Sequence, residues 1–182
     1  MSKLNITELK KSLKQLEQKE LIQLVADLYK LNSDVKDYLS SKFGGEEVAL
    51  ELYNKAKKKI QDEFYPDRGL PKLRLSEAKQ AISDFKKSTG NSSLVADLML
   101  LYVELGTEFS REFGVMETQF YNSMVFMYDK VAEECENNEE LYNLLKERLY
   151  SCVSMSEEGD WGYNEALIEI YYNICWVQDE EE

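Results

Sequence analysis

Six cations, Lys57, Lys58, Lys59, Arg68, Lys72 and Arg74, gather around the chain's only two prolines, Pro66 and Pro71. Guanidinium and ammonium groups on a loop containing Gly69 can hold a phosphate or a carboxylate. Lys58, Arg68, Lys72 and Arg74 are therefore candidate anion-binding residues. No phosphate-cradling glycine pattern accompanies them. The plainer expectation is a solvated helix face and a hinge whose charges meet carboxylates of the C-terminal half. Residues 91–182 carry 21 Asp+Glu against 4 Lys+Arg, a net of −17, whereas residues 1–90 carry 14 against 18, a net of +4.

Carboxylates could also do chemistry. Glu104 and Glu108, like Glu165 and Glu169, stand four residues apart and would share a helix face. Di-metal bundles complete such pairs with histidine, and this chain has none. That lack also rules out Ser-His-Asp and Cys-His catalysis. Cys135, Cys152 and Cys175 are odd in number and widely spaced, which suits neither a disulfide framework nor a zinc site. All three are expected to be buried thiols in apolar helices. We assign no catalytic residue, no cofactor and no metal ligand. The reading points away from an enzyme, with carboxylate chemistry in a helical cleft kept as an alternative.

The C-terminal stretch GDWGYNEALIEIYYNICWVQDEEE is rich in aromatics. Leu167, Ile170, Tyr171, Ile174 and Val177 form one stripe, and Tyr163, Tyr172 and Trp176 lie further round. A helix apolar over so much of its girth is central in the core or covered by a partner. Trp161, Tyr163, Tyr172 and Trp176 are the candidate partner-binding residues, because aromatics anchor protein interfaces.

The elements that must position these groups read as helices throughout. Leu9, Leu13 and Leu16 recur at i, i+4, i+7, and Leu21, Leu24, Val25, Leu28 and Leu31 repeat the pattern. The spacing predicts helices over 7–17, 19–31, 34–42, 46–63, 76–88, 93–112, 116–136, 139–155 and 161–177, with no strand. Thr7, Ser33 and Ser76 are expected N-caps and Gly44 a stop. Pro66 and Pro71 disfavour helical geometry at Tyr65 and Leu70. Tyr-Asn recurs at 121, 142 and 163, a period of 21 residues that a repeated helical unit or chance would produce. The expected fold is all-α, with eight or nine antiparallel helices in a compact bundle or short helical-repeat-like stack. It forms a single domain over 1–182: a basic N-terminal layer at 1–64, a Pro/Gly hinge at 65–75 and an acidic Tyr-rich layer at 76–182. Leu98, Leu101, Leu105, Met124, Leu145, Leu167 and Ile170 are the expected core.

Two resemblances bear on function. LNITELKKSLKQLEQKELIQLVADLYK resembles, in rhythm, helix-extended-helix DNA-binding modules. It departs from them around Glu17–Lys19, where the glycine and extended spacer between the helices are missing. A hairpin docked on its own domain explains the same residues. Over nearly the whole chain, KLNITELKKSLKQLEQKELIQLVADLYKLN, FYPDRGLPKLRLSEAKQAISDFKK and GDWGYNEALIEIYY resemble a family of small bacterial proteins, domain of unknown function six-one-five-five. That resemblance implies a helical bacterial protein of the cytoplasm and brings no activity, cofactor or site residue.

No apolar run approaches the ~20 residues that span a bilayer, and the N-terminus lacks an apolar signal region, so a cytoplasmic protein without membrane contact is expected. A formal charge of −13 disfavours nucleic acid. The functional expectation is a non-enzymatic protein-interaction or scaffold module, meeting an unknown protein partner or itself. Nucleic-acid or anion binding through the basic half is the alternative.

Overall fold

The computed structural model describes residues 4–114, 117–158 and 162–177. The described residues form nine α-helices and no strand: α1 Ile6–Leu13, α2 Gln18–Leu31, α3 Ser33–Phe43, α4 Gly45–Phe64, α5 Leu75–Thr89, α6 Ser92–Phe113, α7 Thr118–Glu136, α8 Glu139–Met155 and α9 Tyr163–Asn173. A short 3-10 turn, Ser156–Glu158, follows α8.

Helix starts are set by side chains that satisfy orphan backbone N–H groups. Asn5, not Thr7, caps α1; it accepts from the N–H groups of Thr7 and Glu8, while Glu8 reaches back to the Asn5 N–H. Asn32, one residue before Ser33, caps α3 in the same way. Gly44 ends α3 as expected. Between α5 and α6, Gly90 takes the left-handed conformation (φ 65°), which glycine adopts without a Cβ penalty. Asn91 then accepts from the Leu94 N–H and starts α6.

Helix α6 is the centre of the molecule. It packs on α4, α5, α7 and α8. It is buried nearly all round, from Val95 and Ala96 to Phe109 and Ser110. Gly106 leaves room for the Met124 side chain of α7. A Cβ there would stand 2.3 Å from the Met124 Sδ, inside van der Waals contact. The core runs continuously from Ala56, Ile60 and Phe64 of α4 through α9 to Val177. Leu98, Met124, Leu145 and Leu167 are fully buried in it. Leu101, Leu105 and Ile170 sit at its margin, half-buried.

Two elements differ from the sequence reading. The C-terminal helix does not run unbroken to 177. It ends at Asn173, because Ile174 is extended (φ −67°, ψ 120°). The break turns Ile174 and Val177 into the core and lets the Trp176 indole N–H donate to the Cys135 carbonyl at 3.0 Å. Burial also begins late: α1, α2 and α3 contain no buried residue at all.

Candidate functional site

Three features could carry function: the proline loop, the aromatic C-terminal helix and the N-terminal helices.

The loop after α4 is held by one carboxylate. Glu63, 5% exposed, receives the Arg74 backbone N–H and Nε at 3.1 Å each and Nη2 at 2.6 Å. The Leu73 N–H returns to the Glu63 carbonyl at 3.0 Å. The Arg74 hydrogen bond holds the Glu63 carboxyl below its usual range, outweighing the burial that pushes it up. These bonds keep Leu73 in the left-handed region (φ 50°), a conformation costly for a branched side chain. Arg74 is thereby the N-cap residue of α5, which starts at Leu75 ahead of the expected Ser76.

Three of the four candidate anion-binding cations, Arg68, Lys72 and Arg74, line one cleft, and Lys58 does not. Lys58 pairs with Asp62 at 2.9 Å and with Asp67 at 2.5 Å, on the other side of the loop from Arg74. Arg74 is spent on Glu63. Arg68 and Lys72 line a cleft of about 830 Å³ with Arg74 and have no ion-pair partner among the described residues. Asp62, Glu63, Asp67, Glu77 and Asp84 line the same cleft. The expectation that these cations meet C-terminal carboxylates is corrected: the partners of Lys58 and Arg74 are Asp62, Glu63 and Asp67, all within eleven residues. A local partner needs less chain to be ordered than one across the molecule.

The aromatic residues of the C-terminal segment divide between core and surface. Tyr163 is 2% exposed. Its hydroxyl shares a 2.6 Å hydrogen bond with Thr107, and its ring lies against Tyr121, centroids 5.1 Å apart and tilted by 42°. Trp176 is half-buried on Cys135. Tyr172 stays exposed beside Tyr171, which also meets Tyr150 at 5.6 Å. Trp161 lies outside the described residues. The three Tyr-Asn tyrosines, Tyr121, Tyr142 and Tyr163, are all buried near the start of their helices. The asparagines differ: Asn122 and Asn143 are exposed, while Asn164 donates to Val153 O and Ser156 Oγ. Of the cysteines, Cys135 and Cys152 are buried, which pushes the Cys135 thiol up to about 12 and that of Cys152 further. Cys175 is exposed, contrary to the expectation for all three.

One polar node was not evident from the sequence. Arg148 of α8 donates Nε and Nη2 to the two oxygens of Glu104, both at 2.7 Å, and Nη1 to Asp97 at 2.5 Å. The Tyr53 hydroxyl donates to the other Asp97 oxygen. Burial, then Asp97 itself, pushes that phenol far above its usual range, so it stays a donor. The node ties α4, α6 and α8 together. Nearby, Lys79 donates to Ser123 Oγ at 3.1 Å, and Ser123 meets the buried Tyr102 hydroxyl at 2.8 Å. No described cleft opens on this trio. Among the described residues, no group of His, Cys, Asp and Glu is placed to hold a metal, and no helix is long and apolar enough to cross a membrane.

The N-terminal helices present the opposite situation. Among the described residues, thirteen of the twenty large apolar side chains left exposed precede residue 51. Ile6, Leu9, Leu13 and Leu16 make one stripe along α1 and the turn after it. On α2, Leu21, Leu24, Val25 and Leu28 centre an apolar arc of half the circumference, with Lys19, Gln23, Asp27 and Lys30 opposite. The expected hairpin docked on its own domain does not form. Helix α1 makes no substantial contact with any other helix, and α2 packs only on α3. Between α3, α4 and α5 lies a groove of about 350 Å³ floored by Tyr38, Leu52, Ala56 and Phe85.

The fold and these surfaces define an all-helical protein with a buried C-terminal core and an uncovered amphipathic N-terminal segment. The chain belongs to a family of unknown function, DUF6155, whose model matches residues 1–174. No curated protein and no solved structure matches it.

Proposed function

We propose that this protein is a non-enzymatic interaction module of the cytoplasm that binds a protein partner through α1 and α2. One observation carries the reading: both helices are amphipathic, and neither buries a single residue against its own chain. An exposed apolar face of this extent marks an interaction site on soluble proteins. Tyr172, with the exposed Tyr150 and Ile168, offers a smaller second contact.

The test is affinity capture from host lysate, with and without nuclease, comparing wild type with Leu24→Lys/Leu28→Lys. A protein that survives nuclease and is lost in the variant supports the module. Partners that vanish with nuclease overturn it and favour nucleic acid on the basic half.

A second reading rests on Arg68 and Lys72, which are exposed and make no close ion pair among the described residues, Lys72 acting on Glu63 only at longer range. They would hold an anionic group at the mouth of the proline-loop cleft. The five carboxylates lining that cleft weigh against it. Titration with inorganic phosphate or a phosphorylated peptide, compared between wild type and Arg68→Ala/Lys72→Ala, decides it.

A further inference from the structure

The N-terminal helices raise a question that the interaction reading leaves open, namely what covers them. We propose that the partner is a second copy of this chain, with the apolar stripe of α1 in each copy laid on the apolar arc of α2 in the other. The inference rests on the interaction reading above and specifies its partner.

Area is the first argument. Ten large apolar residues between Leu4 and Leu31 are 36–82% exposed. Together they present on the order of 1,000 Å² of residue surface, against ~800 Å² per partner in a standard stable interface. Spread over the two helices, the segment therefore has enough exposed apolar surface to supply one side of a dimer.

Charge is the second. A chain of net −13 repels its own copies over most of its surface. That charge lies in residues 91–182; residues 4–31, like the rest of the first half, are nearly neutral, with five lysines against four carboxylates. Two copies meeting here bring together nearly neutral surfaces, with the acidic halves held apart.

Geometry is the third. A narrow stripe on α1 needs a wider apolar partner, and α2 supplies an arc of half a turn. Within one chain the two make no substantial contact with each other. A two-fold arrangement satisfies both stripes twice with the same pair of contacts, and it closes. The result is a four-helix bundle whose seam carries Leu9 and Leu16 from one copy against Leu24, Val25 and Leu28 from the other, in the manner of amphipathic helices generally.

Analytical ultracentrifugation between about 1 and 100 μM, the range of a moderate dimer, tests this. Wild type should sediment as two chains. Leu24→Lys/Leu28→Lys and, separately, Leu9→Lys should sediment as one, with unchanged circular dichroism, because these side chains carry no core packing. Each should weaken association by more than about 100-fold, as charge at the centre of an interface does. A wild type that stays monomeric throughout, a dimer that survives both variants, or an assembly growing beyond two chains overturns the inference.

Binding of the apolar dye ANS separates that failure from failure of the interaction reading. A monomeric wild type that binds the dye, with the binding lost in Leu24→Lys/Leu28→Lys, keeps the module and rejects the second copy. A monomer that binds no dye rejects both.

Discussion

Replacing Arg148 by alanine should destabilise the protein by about 3 kcal/mol. The figure follows from the surroundings of the guanidinium. An exposed ion pair contributes about 0–1 kcal/mol, and breaking a buried one costs about 3–5 kcal/mol because the orphaned charge stays in the interior. The Arg148 side chain is 35% exposed and those of Asp97 and Glu104 are each 21% exposed, so the node lies nearer the buried limit. The loss is amplified because one residue removes three charge-assisted bonds. It leaves two carboxylates facing each other with only Tyr53 as donor.

Urea unfolding followed at 222 nm measures it, with an unchanged denaturant slope showing that the folded state is otherwise intact. In thermal unfolding the same loss is a fall of about 6–12 °C for a chain of this size. Arg148→Lys should recover only part of it, since an ammonium cannot span both Glu104 oxygens. Adding Glu104→Gln to Arg148→Ala should restore stability by removing one uncompensated charge. A fall of less than about 2 °C for Arg148→Ala, or full recovery by lysine, would refute the view that this node clamps α4, α6 and α8.

Two further outcomes follow from single sites. Glu63 has a depressed folded pKa, so its contribution is present above the unfolded value of about 4.3 and is lost as pH falls through the folded value. Glu63→Gln should therefore flatten the acid limb of a stability–pH curve measured by urea midpoint, and an unchanged limb would contradict the Arg74 pairing. Gly106→Ala should gain about 1 kcal/mol of helix propensity yet lose about 1–3 kcal/mol to overpacking on Met124, a net loss relieved by shortening Met124 to Val.

The helices were legible in the sequence because each carries a 3.6-residue apolar rhythm, and local punctuation such as Gly44 marks an end. Caps were legible in kind but not in register: Asn5 and Asn32 outcompete the neighbouring Thr7 and Ser33 because their amide oxygens reach two N–H groups at once. The start of α5 could not be read locally at all, since Glu63 decides it from eleven residues away. The Arg148 node joins residues 44 to 51 apart from Arg148 along the chain, a pairing that no local pattern encodes. Its one available signal was scarcity: residues 91–182 hold only 4 cations, and an arginine among so many carboxylates on an apolar helix was bound to be contested. The exposure of α1 and α2 was hidden for a different reason. An amphipathic rhythm states that a face wants covering, and it is silent on whether the cover lies in the same chain.

The uneven burial has a consequence for how the molecule comes apart. A helix with no buried side chain draws little from tertiary packing, and short helices are marginal on propensity alone. Helices α1 and α2 are in that position, whereas α3 packs on α4 and α5 and α4 to α9 share one core. The chain therefore holds two tiers of stability, and the N-terminal tier opens without the rest following. On the ribosome the order is unkind: residues 4–31 emerge ahead of the core and wait, with their leucines bare, until something folds beside them.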